Sequence, residues 1–220
     1  MKTKIMVVSL FVLMTAGAVH AQNVRFGIRG GLNFASLNEY EIPVATREEA
    51  EMDERLGLYA GAFVQVDLSE KVGLETGLFY TQLGGRDKED DYGEQYEVKA
   101  NPSYLQLPVS IFYKFTVKQL TLYPSVGLYA GYGLSGKMKG SGSVTNRDET
   151  VTQIDFDDDY FDTFARKFDI GGTIGIHAAY SKFILSLTYD RGFVRVNKEK
   201  PLYGGNAFNS NVRLGLGFVF

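Results

Sequence analysis

Eight stretches of this chain alternate apolar residues with polar or small ones, and the segments between them run long, short, long, short. The alternation is clearest from Val24 to Leu37. There Val24, Phe26, Ile28, Gly30, Leu32 and Phe34 take one side and Arg25, Gly27, Arg29, Gly31 and Asn33 the other. Successive side chains of a β-strand point to opposite faces, so a period of two puts the charges on one face and the bulky apolar residues on the other. A soluble barrel would turn its apolar face inward. The inward set here is Arg, Asn and Gly, which can fill a narrow lumen but cannot form an oily core, so lipid must supply the apolar surroundings. The pattern therefore predicts an all-β fold, an eight-stranded antiparallel up-and-down transmembrane β-barrel.

The N-terminus points the same way. Lys2 and Lys4 precede an apolar run from Ile5 to about Ala18, followed by Val19-His20-Ala21, the form of a cleavable secretory signal peptide. A membrane-crossing helix needs about 20 apolar residues; this run is short for that and no other stretch approaches it, which excludes helical spans. The expected organisation is a signal peptide at 1–21 and one outer-membrane barrel domain at 22–220. The absence of cysteine removes a lipid-attachment residue and a disulfide framework together. A mean hydropathy of -0.11 looks soluble, yet it is what results when lipid-facing residues are averaged with lumen and loops.

The remaining strands are expected at Arg55–Asp67, Val72–Leu83, Ser103–Phe115, Leu120–Leu134, Arg166–Tyr180, Phe183–Phe193 and Asn211–Phe220, each long enough for a tilted crossing of about 9 to 11 residues. Pro108 and Pro124 remove ladder donors, so each should mark a bulge or a local break. Leu68–Lys71, Thr116–Gln119 and Ser181–Lys182 are short turns on one side. The long segments 38–54, 84–102, 135–165 and 194–210 fall on the other. Outer-membrane barrels keep short turns in the periplasm, which places both termini there and the long loops outside. Outward aromatics sort into two girdles: Phe26, Tyr113, Phe115, Tyr180, Phe183, Phe218 and Phe220 near the turns, and Phe34, Tyr80, Tyr132, Phe168 and Phe193 near the loops.

Three motifs add a resemblance. Tyr104-Leu105-Gln106-Leu107-Pro108-Val109, Phe168-Asp169-Ile170-Gly171-Gly172 and Tyr189-Asp190-Arg191-Gly192-Phe193 resemble the outer-membrane β-barrel family that includes PorT of Bacteroidetes, over essentially the whole mature chain. The final Phe220 is similar to the C-terminal aromatic by which barrel-assembly machinery recognises its clients. The resemblance implies the barrel fold and a cell-envelope location, and it carries no shared catalytic motif. A part in protein secretion like that of PorT is one of the roles it implies.

Inside an eight-stranded barrel there is just room for side chains. Inward glycines such as Gly27, Gly73, Gly127, Gly131, Gly171 and Gly215 are expected to make space for Arg, Tyr and Phe. Height along the strands predicts two charge-paired clusters, Arg25, Asp67, Glu75 and Lys114 in the turn-side half and Asp169, Asp190 and Arg213 in the loop-side half. A buried charge must be paired to be tolerable. The expected lumen is a polar plug, not an open pore. His177 and Ser186 come out as inward cross-strand neighbours, and a structural hydrogen bond between them is expected. Nucleophilic catalysis would also need an orienting acid and an oxyanion site, and neither is evident. The chain is read as no enzyme.

Other chemistry finds little support. The glycines recur inside strands, without the strand-to-helix turn of a nucleotide loop. Asp155-Phe156-Asp157-Asp158-Asp159-Tyr160 begins like a calcium loop but has Tyr160 where Gly belongs and Arg166 where the bidentate Glu belongs. One mature histidine and no cysteine argue against a zinc site, and no cofactor is expected. The long segments hold the remaining signal. Twenty of the 26 acidic residues lie in Glu39–Glu54, Asp87–Glu97 or Asp148–Asp162, while the formal net charge is only -3. Such a face disfavours nucleic acid and favours divalent or otherwise cationic partners. The plain alternative is that acidic loops stay solvated beside lipopolysaccharide, whose phosphates divalent ions bridge. Tyr40, Tyr92, Tyr96, Tyr160, Phe161, Phe164, Tyr203 and Phe208 add aromatics, as at a protein-binding surface. Asp155, Asp157, Asp158, Asp159, Tyr160 and Phe161 are the candidate interaction residues. Expected partners are outer-membrane lipid and lipopolysaccharide, barrel-assembly machinery, and an extracellular protein or divalent cation at the loops. The expected function is structural or surface-interacting, with a secretion component or a narrow channel as alternatives.

Overall fold

The computed structural model describes residues 23–40, 54–91, 94–145, 151–198 and 206–220. The expected signal peptide at 1–21, most of the acidic run 39–54, and Tyr92 and Tyr203 lie outside the described residues, as do the side chains of Tyr40 and Tyr96. The strands are β1 (Asn23–Tyr40), β2 (Arg55–Asp67), β3 (Val72–Gln82), β4 (Gly85–Asp91), β5 (Glu94–Ala100), β6 (Ser103–Tyr113), β7 (Phe115–Val117), β8 (Leu120–Ser135), β9 (Lys137–Thr145), β10 (Val151–Asp159), β11 (Phe168–Tyr180), β12 (Phe183–Gly192) and β13 (Asn206–Val219). A five-residue π-helical turn, Tyr160–Phe164, precedes β11.

Eight of these strands, β1, β2, β3, β6, β8, β11, β12 and β13, pair antiparallel in that order, and β13 returns to β1 to close the ring. The register can be followed from strand to strand: Arg25 faces Gln65, then come Glu75, Ser110, Gly127, Thr173, Asp190 and Asn211, and the path re-enters β1 at Ala35. One circuit thus climbs ten residues. At ordinary strand spacings that stagger corresponds to a tilt of roughly 41°.

Alternation survives in the burial. Leu58 is 57 % exposed and its neighbour Tyr59 only 3 %. Phe26, Tyr113, Phe115, Tyr180, Phe183 and Phe220 are exposed at the turn end, and Tyr80, Tyr132, Phe168 and Phe193 at the loop end. Inward aromatics lie over inward glycines. A Cβ on Gly73 would strike the Phe112 ring, one on Gly171 the Tyr129 ring, and one on Gly215 the Tyr59 hydroxyl. The lumen is filled this way, large side chain against absent side chain.

Both prolines break pairing on one flank only. The β3–β6 ladder omits the rungs at Leu107 and Pro108 and resumes at Gln106 opposite Phe79, in unchanged register. The seam between β6–β7 and β8 omits Tyr113 opposite Pro124 and Lys114 opposite Tyr123, again without a shift. A lipid-facing groove of about 300 Å³ at Val72, Ile111, Tyr113, Pro124 and Val126 lies beside that gap. The register shift on β6–β8 falls instead between Ser103 and Tyr104. Losing a donor costs a rung; only an extra residue moves the register.

Two long segments, expected as loops, are paired strands. The hairpins β4–β5 and β9–β10 join into a four-stranded sheet of order β10-β9-β5-β4. β1 and β13 likewise stay paired through Tyr40 and Asn206, beyond the expected ends. Beyond the girdle no lipid enforces alternation, so the sequence loses its period of two while the backbone ladder continues. Gly127→Val tests the close packing: its side chain would meet the Val109 carbonyl and Ser110. We expect the variant to lose the folded, heat-modifiable band on a gel that the parent chain shows after refolding.

Candidate functional site

The lumen carries its charges in tiers. At the turn end Asp67 lies between Arg25, whose Nη2 donates at 3.3 Å, and Lys114, whose Nζ approaches to 2.6 Å. A cavity of about 440 Å³ opens here, with Arg25, Lys114, Lys182 and Glu70 among its walls. One tier further in, Arg29 donates two hydrogen bonds to Glu75, 2.8 and 2.9 Å, and Gln65 donates to the same carboxylate at 2.8 Å. The guanidinium also lies 4.5 Å from the Phe63 ring centre. Bidentate geometry fixes both partners and leaves the carboxylate well satisfied.

Above this tier Arg213 donates to Asp190 at 3.0 Å, and Asn211 links Asp190 to Asn33, 3.2 and 2.9 Å. Asn33 in turn donates to the Gln82 carbonyl. Asp169 stands apart in the loop half, accepting from the Tyr129 hydroxyl at 3.0 Å and the Asn209 amide at 2.9 Å.

Sequence height alone groups Glu75 with Arg25, Asp67 and Lys114, and Asp169 with Asp190 and Arg213. The structure separates both. Glu75 pairs with Arg29, and Asp169 has no cationic side chain in salt-bridge reach among the described residues. Counting from strand ends misplaces heights because the ring climbs ten residues per circuit. Arg29, Gln65, Asn33, Asn209 and Asn211 belong to these networks, and sequence reasoning misses them. A signal exists in part, since Arg29 and Asn33 share the inward parity of Arg25.

His177 and Ser186 are register partners, but the expected bond between them is not made. His177 Nε2 contacts Ser125 Oγ at 3.0 Å and its ring stacks on Tyr123, centroids 4.7 Å apart. Ser186 Oγ and His177 Nδ1 find no partner among the described residues. Ser186 and Tyr123 are the register partners of His177 on its two flanks, and the imidazole lies on the Tyr123 side, from where it reaches Ser125. Room at this level amounts to about 20 Å³, about one water molecule.

The loop-side mouth is capped. Tyr160 and Phe161, expected as exposed interaction aromatics, are buried with Leu37, Leu83, Tyr104 and Val196. Phe161 packs edge-on to Tyr104, centroids 5.4 Å apart, in the space that Gly133 leaves. Asp159, expected at the same surface, is the N-cap of the π-helical turn: its Oδ1 accepts from the Phe161 and Asp162 N–H groups, both 2.9 Å. Apolar side chains fold into the mouth because that removes them from water, and the cap aims them there. Phe164 and Phe208 are half-buried.

Of the other loop acids, Asp157 contacts Lys139 at 3.0 Å and Lys137 at 3.4 Å, and these hydrogen bonds, Lys139's first, hold its carboxyl below the usual range. Asp158 is exposed, and Asp155 lies in β10 opposite Ser141. The string that began like a calcium loop is thus a strand. Phe220 is exposed, and its N–H donates to the Phe26 carbonyl at 3.0 Å.

A closed, eight-stranded antiparallel barrel with an apolar outer belt and a charge-paired interior defines a small outer-membrane β-barrel protein. The chain belongs to the family described as "Outer membrane protein beta-barrel domain", which matches residues 20–196. The family places it in the bacterial outer membrane. Solved structures of outer-membrane proteins are similar at low identity. Ail, the attachment invasion locus protein of Yersinia pestis, is 11% identical, covering 90% of this chain and 100% of its own, with a TM-score of 0.43. A major outer membrane protein from Thermus thermophilus is 13% identical with the same coverage and a TM-score of 0.46. Neisserial surface protein A is 11% identical, again with the same coverage, at 0.43. No curated protein matches the sequence.

Removing Glu75 would leave Arg29 buried without its counter-charge, a loss of about 3–5 kcal/mol for a buried pair. We expect Glu75→Ala to unfold at markedly lower urea in a gel-shift titration. Unchanged unfolding would show that this pair does not hold the lumen together.

Proposed function

We propose that this barrel is a non-enzymatic surface-interaction protein. Its short turns and both termini face the periplasm, and its four-stranded sheet faces the exterior. The observation that carries the reading is that sheet. Segments as acidic as 84–102 and 135–165 are built into paired strands, with β10 and β4 at its two ends. An end strand offers unpaired N–H and C=O groups to an extended partner, and the acidic residues select a cationic one. The charge-paired tiers and the cap support a lumen that does not conduct.

The residues used to test this must spare the cap, because Asp159, Tyr160 and Phe161 are structural. Asp155 and Asp158 are the better targets. Binding of a lysine-rich extended peptide to the refolded barrel should weaken several-fold in Asp155→Asn/Asp158→Asn, while the parent stays silent in a planar bilayer. Equal binding by parent and variant would remove the sheet from the function, and stable conductance would make transport the leading role.

The likeness to the family that includes PorT favours a second reading, a part in protein secretion. Among the inward members of those motifs, Tyr104, Gln106, Asp169 and Asp190 are buried in the lumen. That reading requires a secretion defect when the gene is deleted.

A further inference from the structure

The turn-side mouth of the lumen is a chamber of about 440 Å³. Arg25, Lys114, Lys182 and Glu70 give it charge, and Phe112, Tyr123, Ile184 and Val219 give it apolar wall. Gln65 closes it toward the middle of the barrel. That side chain is 1 % exposed and donates to Glu75 at 2.8 Å and to the Tyr123 hydroxyl at 3.2 Å. The chamber is therefore a dead end, suited to holding a molecule and not to passing one.

Its charges do not cancel. Arg25 Nη2 lies 3.3 Å and Lys114 Nζ 2.6 Å from the same Asp67 oxygen, Oδ1, so one carboxylate serves two cations. Arg25 Nε is buried and has no hydrogen-bond partner among the described residues. Lys182 and Glu70 add one charge of each sign. Three cationic side chains thus stand against two acidic ones, and one positive charge is left over. A recess with apolar walls focuses such a charge and concentrates anions. The apolar part is continuous with the core: Phe112, Tyr123, Ile184 and Val219 belong to one buried cluster. Lys114 joins the two parts, its Nζ 2.6 Å from Asp67 and 5.7 Å from the Phe112 ring centre.

Size and charge together define the ligand. Small-molecule sites occupy about 300–1,000 Å³ and combine apolar walls with a few polar groups that fix orientation. A bare ion would leave most of this chamber as water against apolar side chains, whereas a ligand with an apolar body displaces that water and gains by it. The single excess charge sets the valence at one negative. We propose that the turn-side chamber binds a small monocarboxylate carried on a short apolar body, with its carboxylate on Arg25 and Lys114 and its body against Phe112, Ile184 and Val219. Charge-assisted bonds to the two cations supply orientation, and the apolar cluster supplies contact area. This binding depends neither on the surface role proposed above nor on which compartment the turns face.

The test uses the full refolded chain in detergent, unfolded in urea with the gel shift as readout. Hexanoate is the probe, and hexanol, hexylammonium and acetate are the controls at equal ionic strength. Hexanoate at ten times its dissociation constant should raise the folded-to-unfolded ratio about tenfold, and the controls at the same concentration should leave it near that of the untreated chain. Arg25→Gln leaves Asp67 its partner Lys114, so the barrel should form and lose the hexanoate response, while Arg25→Lys should keep it. Ala179→Phe puts a ring into the chamber wall and should lose the response as well. A hexanoate response that persists in Arg25→Gln or Ala179→Phe places the probe elsewhere and overturns the site. Equal responses of the parent to hexanoate and hexanol overturn the anionic assignment, and a larger response to hexylammonium reverses its sign. Acetate acting as strongly as hexanoate overturns the apolar half. The parent's ranking of the four probes decides the proposal even where a variant fails to fold.

Discussion

A strand in hydrocarbon has no water to satisfy its N–H and C=O groups, so each must find a partner on an adjacent strand. The β1–β13 seam meets that demand for the last two edges, from Gly27 opposite Val219 to Tyr40 opposite Asn206. The rest of the structure depends on it. Closure requires a stagger, here of ten residues, the stagger brings Arg29 to Glu75 and Arg213 to Asp190, and the narrow bore makes the glycines necessary opposite Phe112, Tyr129 and Tyr59. A flat sheet of the same sequence would leave these charges facing solvent and the edges of β1 and β13 unpaired.

The two prolines show how much irregularity closure tolerates. Each removes rungs from one flank while the opposite flank remains paired, as Tyr129 pairs across from Pro108 and Ile176 from Pro124. The ring keeps its register because no residue is gained or lost. The same economy appears in the cap, where one carboxylate, Asp159, turns the chain so that two aromatics close a mouth lined by Leu37, Leu83 and Tyr104. Charge sorts along the axis as well. Acids crowd the segments beyond the loop-side girdle, and Lys71, Lys118 and Lys182 mark the three turns.

Where the sequence was legible, a local rule was at work. Parity along Val24–Leu37 placed Arg29 and Asn33 inward and Ile28 and Leu32 outward, and turn length separated the two ends of the barrel. Where it misled, the deciding contact lay far along the chain. Glu75 meets Arg29 from 46 residues away, and His177 meets Ser125 from 52, passing over the adjacent Ser186. Tyr160 and Phe161 looked exposed because they sit among aspartates. Their burial follows from Gly133 and Tyr104, which no pattern near residue 160 announces.

The sequence by itself determined the number of crossings, the face each side chain takes and the end at which the long segments gather, because alternation and turn length are properties of neighbouring residues. Only the tertiary structure decided which charges meet, that the acidic segments pair as a sheet, that aromatics plug the mouth, and that Asp169 pairs with Tyr129 and Asn209. Height inside a closed ring is the sum of eight registers. Each register is set between strands, so no single stretch of sequence contains it.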